Sequence, residues 1–145
     1  RSFGVDMVRA VQLIKAASLD TITTNQAILA TNRALMLGVA ADAEQLATLM
    51  EIATVRGRAL GLGTEAAFDR IVLGIGRLST RILDDIGIVV DGETAYADNG
   101  ATIGKTADQL TEAEKRIALT AAIVANSNQI LAATGGVVRD NAAAF

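Results

Sequence analysis

Apolar residues recur at intervals of three and four along most of this chain. Phe3, Met7, Val11 and Ile14 form a stripe that predicts a helix over 3–18. The polar stretch "SLDTITTN" (18–25) is rich in capping residues and reads as a break, with a second helix over about 21–37 ending at Gly38. Asp42 stands where it would cap a third helix, whose apolar face is Leu46, Leu49, Met50 and Ala53. Gly57, Gly61 and Gly63 follow and place a turn near 61–64, after which Thr64 reads as the cap of a fourth helix. Phe68, Ile71, Ile75, Leu78 and Ile82 then step by three and four, the seam of a helix packed on another helix. Gly74 and Gly76 lie inside that seam at a cost of about 1 kcal/mol each, which predicts a surface where backbones approach closely. Ser79 recaps a short continuation through Asp85, and Gly87 closes it.

Residues 88–90 ("IVV") are β-branched and read as a short extended piece without a partner strand. A short helix is expected over about 93–103, ending at Gly104. Thr111 and Glu114 form a T-x-x-E capping box for a last helix. Leu110, Ile117, Val124 and Leu131 recur every seven residues, Ile123 and Ile130 widen that face, and Gly135 and Gly136 stop it. Asn128 is open to two readings, a register-fixing polar residue in that seam or a solvent-facing one. The fold class is therefore all-α, several amphipathic helices in a bundle or in extended hairpins, with at most a short extended piece near 88–91. The division expected is N-terminal helices over 1–62 and a second helical module over 63–145. "LGVAADAEQLATLM" (37–50) and "LGLGTEAAFDRIVL" (60–73) share a turn, a cap and an apolar helical face, a faint internal echo.

Composition narrows the chemistry. The 145 residues contain no Cys, His, Pro or Trp. Disulfides and thiolate chemistry are excluded, and the commonest general base and transition-metal ligand are missing. Average Pro usage is about 5%, so its absence suits uninterrupted helices. Hydrophobic residues make up 51%, much of it Ala, and aromatics only 3%. Such helices approach closely but bury little area each, which points to self-association as a source of stability. A net charge of −3 gives nucleic acid no electrostatic reason to bind. Signal-peptide and membrane-spanning patterns are not evident, and the two ends of the chain read as cuts from a longer protein.

Four stretches resemble sites. The acids Asp84, Asp85, Asp91 and Glu93 flank an apolar run, but an EF-hand centred on Gly92 would place Gly87 and Val89 at ligand positions. A glycosidase-like carboxylate pair lacks aromatic sugar platforms around it. These acids read instead as helix-end residues. "GLGTEA" (61–66) and "GIGRLS" (74–79) lack the third Gly and the preceding strand of a dinucleotide loop. "IGKT" (103–106) would need Gly at Asn99 to complete a phosphate loop. Arg56, Arg58, Arg70, Arg77 and Arg81 are spread among acids and read as a solvated face. No catalytic, cofactor or metal residue is assigned.

The ordered run over 71–119 carries a resemblance. It contains G-x-x-R-x-S at Gly74, Arg77 and Ser79, the helix end "ILDDIGI" with Asp84, Asp85 and Gly87, then "AYA" at Tyr96, then "IGKTADQLTEAEKR" with Gly104, Lys105, Lys115 and Arg116. In order and spacing this third of the chain resembles tail tape measure proteins of long-tailed bacteriophages and prophages. Thr80 departs from the pattern, which has Pro after the Ser, and that bears on where the short helix starts.

The resemblance implies a structural virion protein rather than an enzyme. Its relatives are long helical chains that occupy the tail lumen, set tail length during assembly and leave ahead of the genome at ejection. Implied partners are copies of itself as a homo-oligomer, tail tube protein, tail assembly chaperones and tail-tip proteins, with host-membrane contact at ejection and no sequence-specific nucleic acid. The implied location is the virion tail, and host cytoplasm during assembly. Two alternatives stand beside it: a membrane-active helical segment that aids DNA delivery, motivated by a mean hydropathy of +0.38, and an enzyme using the acids at 84–93.

Overall fold

A computed structural model describes residues 7–39 and 42–132. The fold is all-α, and among the described residues no strand forms. In chain order the helices are α1 (Met7–Ala17), α2 (Thr24–Met36), α3 (Ala43–Leu60), α4 (Thr64–Gly76), α5 (Thr80–Asp85), α6 (Gly92–Thr102), α7 (Glu112–Ala125) and α8 (Ser127–Ala132), with a 3₁₀ turn at Ala107–Gln109.

Cross-helix bonds give the directions. Arg9 of α1 pairs with Glu44 at the start of α3, and the Thr54 hydroxyl of α3 donates to the Ala17 carbonyl at the end of α1, 3.3 Å away. Those two helices are therefore parallel. Gln26 bonds Glu65, and Arg33 pairs with Asp69, so α2 and α4 are parallel as well. The result is two helical hairpins stacked side by side. Helix α1 lies against α2 and α3, while α4 lies against α2 and α3. The stack continues with α7 beside α3 and α5 beside α4; α6 packs on α7 and α8 on α3.

One cluster of buried residues runs through the stack, from Ala10 and Ile14 through Leu46, Leu49, Met50, Phe68, Ile71 and Ile75 to Leu83, Leu119 and Ile123. It crosses the expected 62/63 division, on either side of which α3 and α4 pack on each other. The expected face of α3, Leu46, Leu49, Met50 and Ala53, is fully buried. Gly57 lets that helix meet α4, since a Cβ there would lie 3.1 Å from the Ala67 Cβ.

Local chemistry sets the helix ends. The Asp42 side chain accepts from the Gln45 amide at 2.8 Å. Ser79 caps α5 through the Ile82 amide at 3.2 Å. Thr111 and Glu114 form the expected box, with bonds of 3.1 and 2.8 Å. A second box, Thr23 with Gln26, opens α2.

Several expectations change. The first helix ends at Ala17 rather than 18, and its expected start, with Phe3, lies outside the described residues. The second begins at Thr24 rather than 21, because Leu19 and Asp20 take left-handed backbone (φ 57° and 59°) and make a turn first. Gly63, not Thr64, is the N-cap of α4; Thr64 is its first residue, its hydroxyl 2.7 Å from that of Thr21. The seam from Phe68 to Ile82 is not one helix: α4 stops at Gly76, Leu78 turns left-handed (φ 55°), and α5 restarts the chain. Phe68, Ile71 and Ile75 are buried, and Leu78 and Ile82 are half-buried. Thr80 occupies the first position of α5, where Pro would also fit a helix without loss, so Thr in place of the expected Pro leaves the helix start unchanged.

The last helix also divides. Helix α7 ends at Ala125, Asn126 caps it, and α8 follows. The seven-residue line is buried at its two ends, Leu110 and Leu131, but not between: Ile117 is exposed and Val124 half-buried, while Ala118, Leu119 and Ile123 are buried. Leu131 is buried on α8 and Asn128 is exposed. Gly135 and Gly136 lie outside the described residues. Residues 88–90 take no regular secondary structure, with Ile88 buried, its amide bonded back to the Leu83 carbonyl, and Val89 exposed.

Candidate functional site

The acidic corner disperses in three dimensions. Asp84 and Asp85 end α5 and are exposed. Asp91 caps α6: one carboxylate oxygen accepts from the Glu93 amide at 3.1 Å and the other from the Thr94 hydroxyl at 2.9 Å. Glu93 sits in the first turn of α6, where the helix dipole favours an acid. Among the described residues no three carboxylates group closely enough to hold a metal ion.

The glycine-rich stretches are turns and contacts. "GLGTEA" is the turn from α3 into α4, with Gly61 in left-handed backbone. Gly74 is buried against α5, and a Cβ there would stand 2.9 Å from Leu83, so glycine is what lets α5 fold back onto α4. Arg77 is exposed at the end of α4. In "IGKT", Gly104 follows α6 and Lys105 turns to Glu114, its Nζ 2.9 and 2.8 Å from the two carboxylate oxygens. That bond, then the Thr111 amide, holds the Glu114 carboxyl below its usual range. The lysine is thus committed within the fold rather than presented to a phosphate.

Two arginines act as caps at long range. Arg56 of α3, expected on a solvated face, donates from Nε to the Ile86 carbonyl at 2.7 Å, just past α5. Its guanidinium lies where a Cβ on Gly87 would go, and Gly87 itself has φ 88°. Arg116 of α7 donates from Nε to the Gly76 carbonyl at 3.0 Å, closing α4, and meets Glu112 at 3.5 Å. Cations at helix C-termini satisfy orphan carbonyls and complement the dipole. Lys115 stands 5.3 Å from the centre of the Tyr96 ring. Partial burial, with Glu93 second, raises the Tyr96 phenol above its ordinary pKa.

Among the residues singled out along 74–116, Ser79 caps a helix, Gly74 and Gly87 make close contacts, and Lys105 and Arg116 bond across helices. A shallow hollow between α1 and α3 is lined by Leu13, Ala17, Ala47, Val55 and other small or apolar residues, with Glu51 as its one titratable group among the described residues. No helix among the described residues is long and apolar enough to cross a membrane. The uncharged stretch that begins at Ile117 loses its apolar character at Asn126, Ser127, Asn128 and Gln129, where α7 gives way to α8.

The apolar surface that the sequence reading passed over is on α2. Leu29 is 53% and Met36 84% exposed, while the buried side of that helix is mostly Ala. Helical spacing alone could have located it, because both residues fall opposite Ala27, Ala30 and Ala34. No protein family, curated protein or solved structure matches this chain.

Proposed function

We propose that this chain is a helical, non-catalytic module of a tail tape measure protein of a long-tailed phage or prophage. One observation supports it above the others: the motif run over 71–119 consists of residues with structural jobs. Ser79 caps, Gly74 and Gly87 permit close turns, Lys105 pairs with Glu114, and Arg116 closes α4. A signature made of helix ends and contacts is what a scaffold needs, and it supplies no reactive constellation. In this role the module sits in the tail lumen beside copies of itself and tail tube protein, meets assembly chaperones and tail-tip proteins in the host cytoplasm, and leaves at genome ejection.

The test is in-frame deletion of the module from the parent gene, with tail length read by electron microscopy. Shorter tails are expected. A chain of 145 residues running as one helix would span about 220 Å, and the hairpin stack is much shorter, so a deficit well below that value identifies a module that stays folded in the lumen. Unchanged length removes the ruler role.

Membrane contact during delivery is a second reading, supported by the mean hydropathy of +0.38 and by apolar side chains left at the surface, such as Val89 and Ile103. Leakage of liposomes by the purified chain is its test, and absence of binding to any lipid removes it.

A further inference from the structure

Helices α2 and α4 are built alike, position for position, forty residues apart. Their N-caps are Thr23 and Gly63, their first residues Thr24 and Thr64, their last residues Met36 and Gly76. At the start, the Ala27 amide donates to the Thr23 carbonyl at 2.9 Å and the Ala67 amide to the Gly63 carbonyl at 3.0 Å. At the stop, the Leu37 and Arg77 amides donate to the Arg33 and Leu73 carbonyls, and those of Gly38 and Leu78 to Leu35 and Ile75. The Val39 and Ser79 amides then reach back to the Ala34 and Gly74 carbonyls at 2.9 and 2.8 Å. The residue that turns the chain is left-handed in both, Gly38 with φ 71° and Leu78 with φ 55°. Burial keeps the same offset: Ala27, Thr31, Ala34 and Leu35 are buried on α2, and Ala67, Ile71, Gly74 and Ile75 on α4.

Each of these helices is the second of a hairpin, and the first helices, α1 and α3, are also parallel. A sideways step across the helices therefore carries one hairpin onto the next. The echo between 37–50 and 60–73 does not mark this step, because it sets the start of α3 on the start of α4, within one hairpin. Between 23–39 and 63–79 only Thr24 and Ala27 keep their identity, at Thr64 and Ala67. The period lives in caps and burial rather than in letters. Both stops satisfy the same orphan carbonyls. A left-handed leucine is disfavoured, so the stop at Leu78 is kept by the stacking and not by local preference. The stack also has charge for a further step. Helix α4 meets α2 through the acids Glu65 and Asp69, while Arg70 and Arg77 stand exposed on another line of α4. A following copy of α4 would bring acids toward cations.

We propose that the stretch 39–78, which holds α3 and α4, is one stackable unit of a forty-residue repeat, and that the module measures length in such units. Stacked repeats touch only their neighbours, so stability adds unit by unit. Packed helices lie about 8–10 Å apart, whereas forty residues in one helix would span about 60 Å. The statement about length rests on the ruler role; the unit itself does not.

The test is a chain in which a second copy of 39–78 follows Leu78, compared with wild type and with a Gly/Ser insert of equal length at the same point. The repeated unit should keep the helical circular dichroism signal per residue, while the Gly/Ser insert lowers it by about a fifth. Its urea midpoint should be no lower than that of wild type. By small-angle X-ray scattering its maximum dimension should grow by no more than about 10 Å. If the enlarged chain does not fold at all, amide exchange of wild type decides: the Val39 and Ser79 amides should both be protected well above the rates of a free peptide.

An inserted unit that adds no helix to a folded chain overturns the proposal. So does growth approaching about 60 Å, or free exchange at either Val39 or Ser79. These readouts need no virion. A unit that stacks, in a module whose deletion leaves tails unchanged, removes only the ruler role. Tails that shorten on deletion, with a unit that does not stack, remove this inference alone.

Discussion

Helices α2 and α4 are parallel neighbours of 13 residues each, and they use their apolar residues in opposite ways. Helix α4 turns Phe68, Ile71, Val72 and Ile75 into the core and leaves one large apolar residue, Leu73, at the surface. Helix α2 turns alanines in and leaves Ile28, Leu29 and Met36 out. Helix α4 packs against α2, α3, α5 and α7, whereas α2 lies at the edge of the stack against α1 and α4, so part of the difference is burial available. Small inner residues let α2 lie close to its neighbours while adding little buried area, and its larger side chains stay at the surface. Large buried side chains are concentrated on α3 and α4, and exposed apolar ones on α2.

The largest expected effect tests the core side of that contrast. Phe68 is fully buried and is the bulkiest side chain in the core. Phe68→Ala should cost about 3–5 kcal/mol, read as a lower urea midpoint at unchanged slope. A loss under about 1 kcal/mol would mean that α4 is not where the fold is held.

The next effect probes the inner face of α2 from the other direction. Ala30 is 1% exposed, so Ala30→Leu forces side chain into a filled contact and should destabilise by about 1–3 kcal/mol. A neutral result would place slack under α2 and weaken the reading of its alanines as a close-approach face.

Much of this contrast is written locally and some of it is not. Asp42, Ser79, Gly87 and the Thr111–Glu114 box were legible because a cap or stop acts within a few residues of itself. The Thr23–Gln26 box obeys the same pattern and could have been read. Leu78 carries no such signal: a left-handed leucine is held by what packs around it, so the break between α4 and α5 is a tertiary event. On α7 the residues Ile117, Leu119, Ile123 and Val124 offer two apolar stripes, and only the placement of α3 and α4 chooses Leu119 and Ile123. Arg56 looked like surface charge because its partner, the Ile86 carbonyl, is thirty residues away in sequence. The acidic corner was legible as a helix junction, since its spacing failed the EF-hand pattern and acids favour helix starts, as Asp91 and Glu93 do on α6.

A smaller effect concerns the links between the two helices. Arg33 and Asp69 are 47% and 38% exposed at their side chains. Arg33→Ala should therefore cost less than about 1 kcal/mol, and less still in high salt. A loss of several kcal/mol would show that α2 depends on this pair rather than on its alanines.

The smallest expected effect is the most informative about the outer face. Met36 is 84% exposed, so its removal costs the isolated chain almost no buried area, and Ala is a slightly better helix former. Met36→Ala should leave stability within about 0.5 kcal/mol at low protein concentration. Association that involves the side chain adds a term by mass action, because only the folded state binds. Denaturation of wild type and Met36→Ala at two protein concentrations separates these contributions. A cost that appears only at the higher concentration would show that Met36 takes part in association between copies. A cost of more than about 1 kcal/mol at both concentrations would mean that Met36 is covered within a single chain, and the contrast between α2 and α4 would then be one of degree and not of purpose.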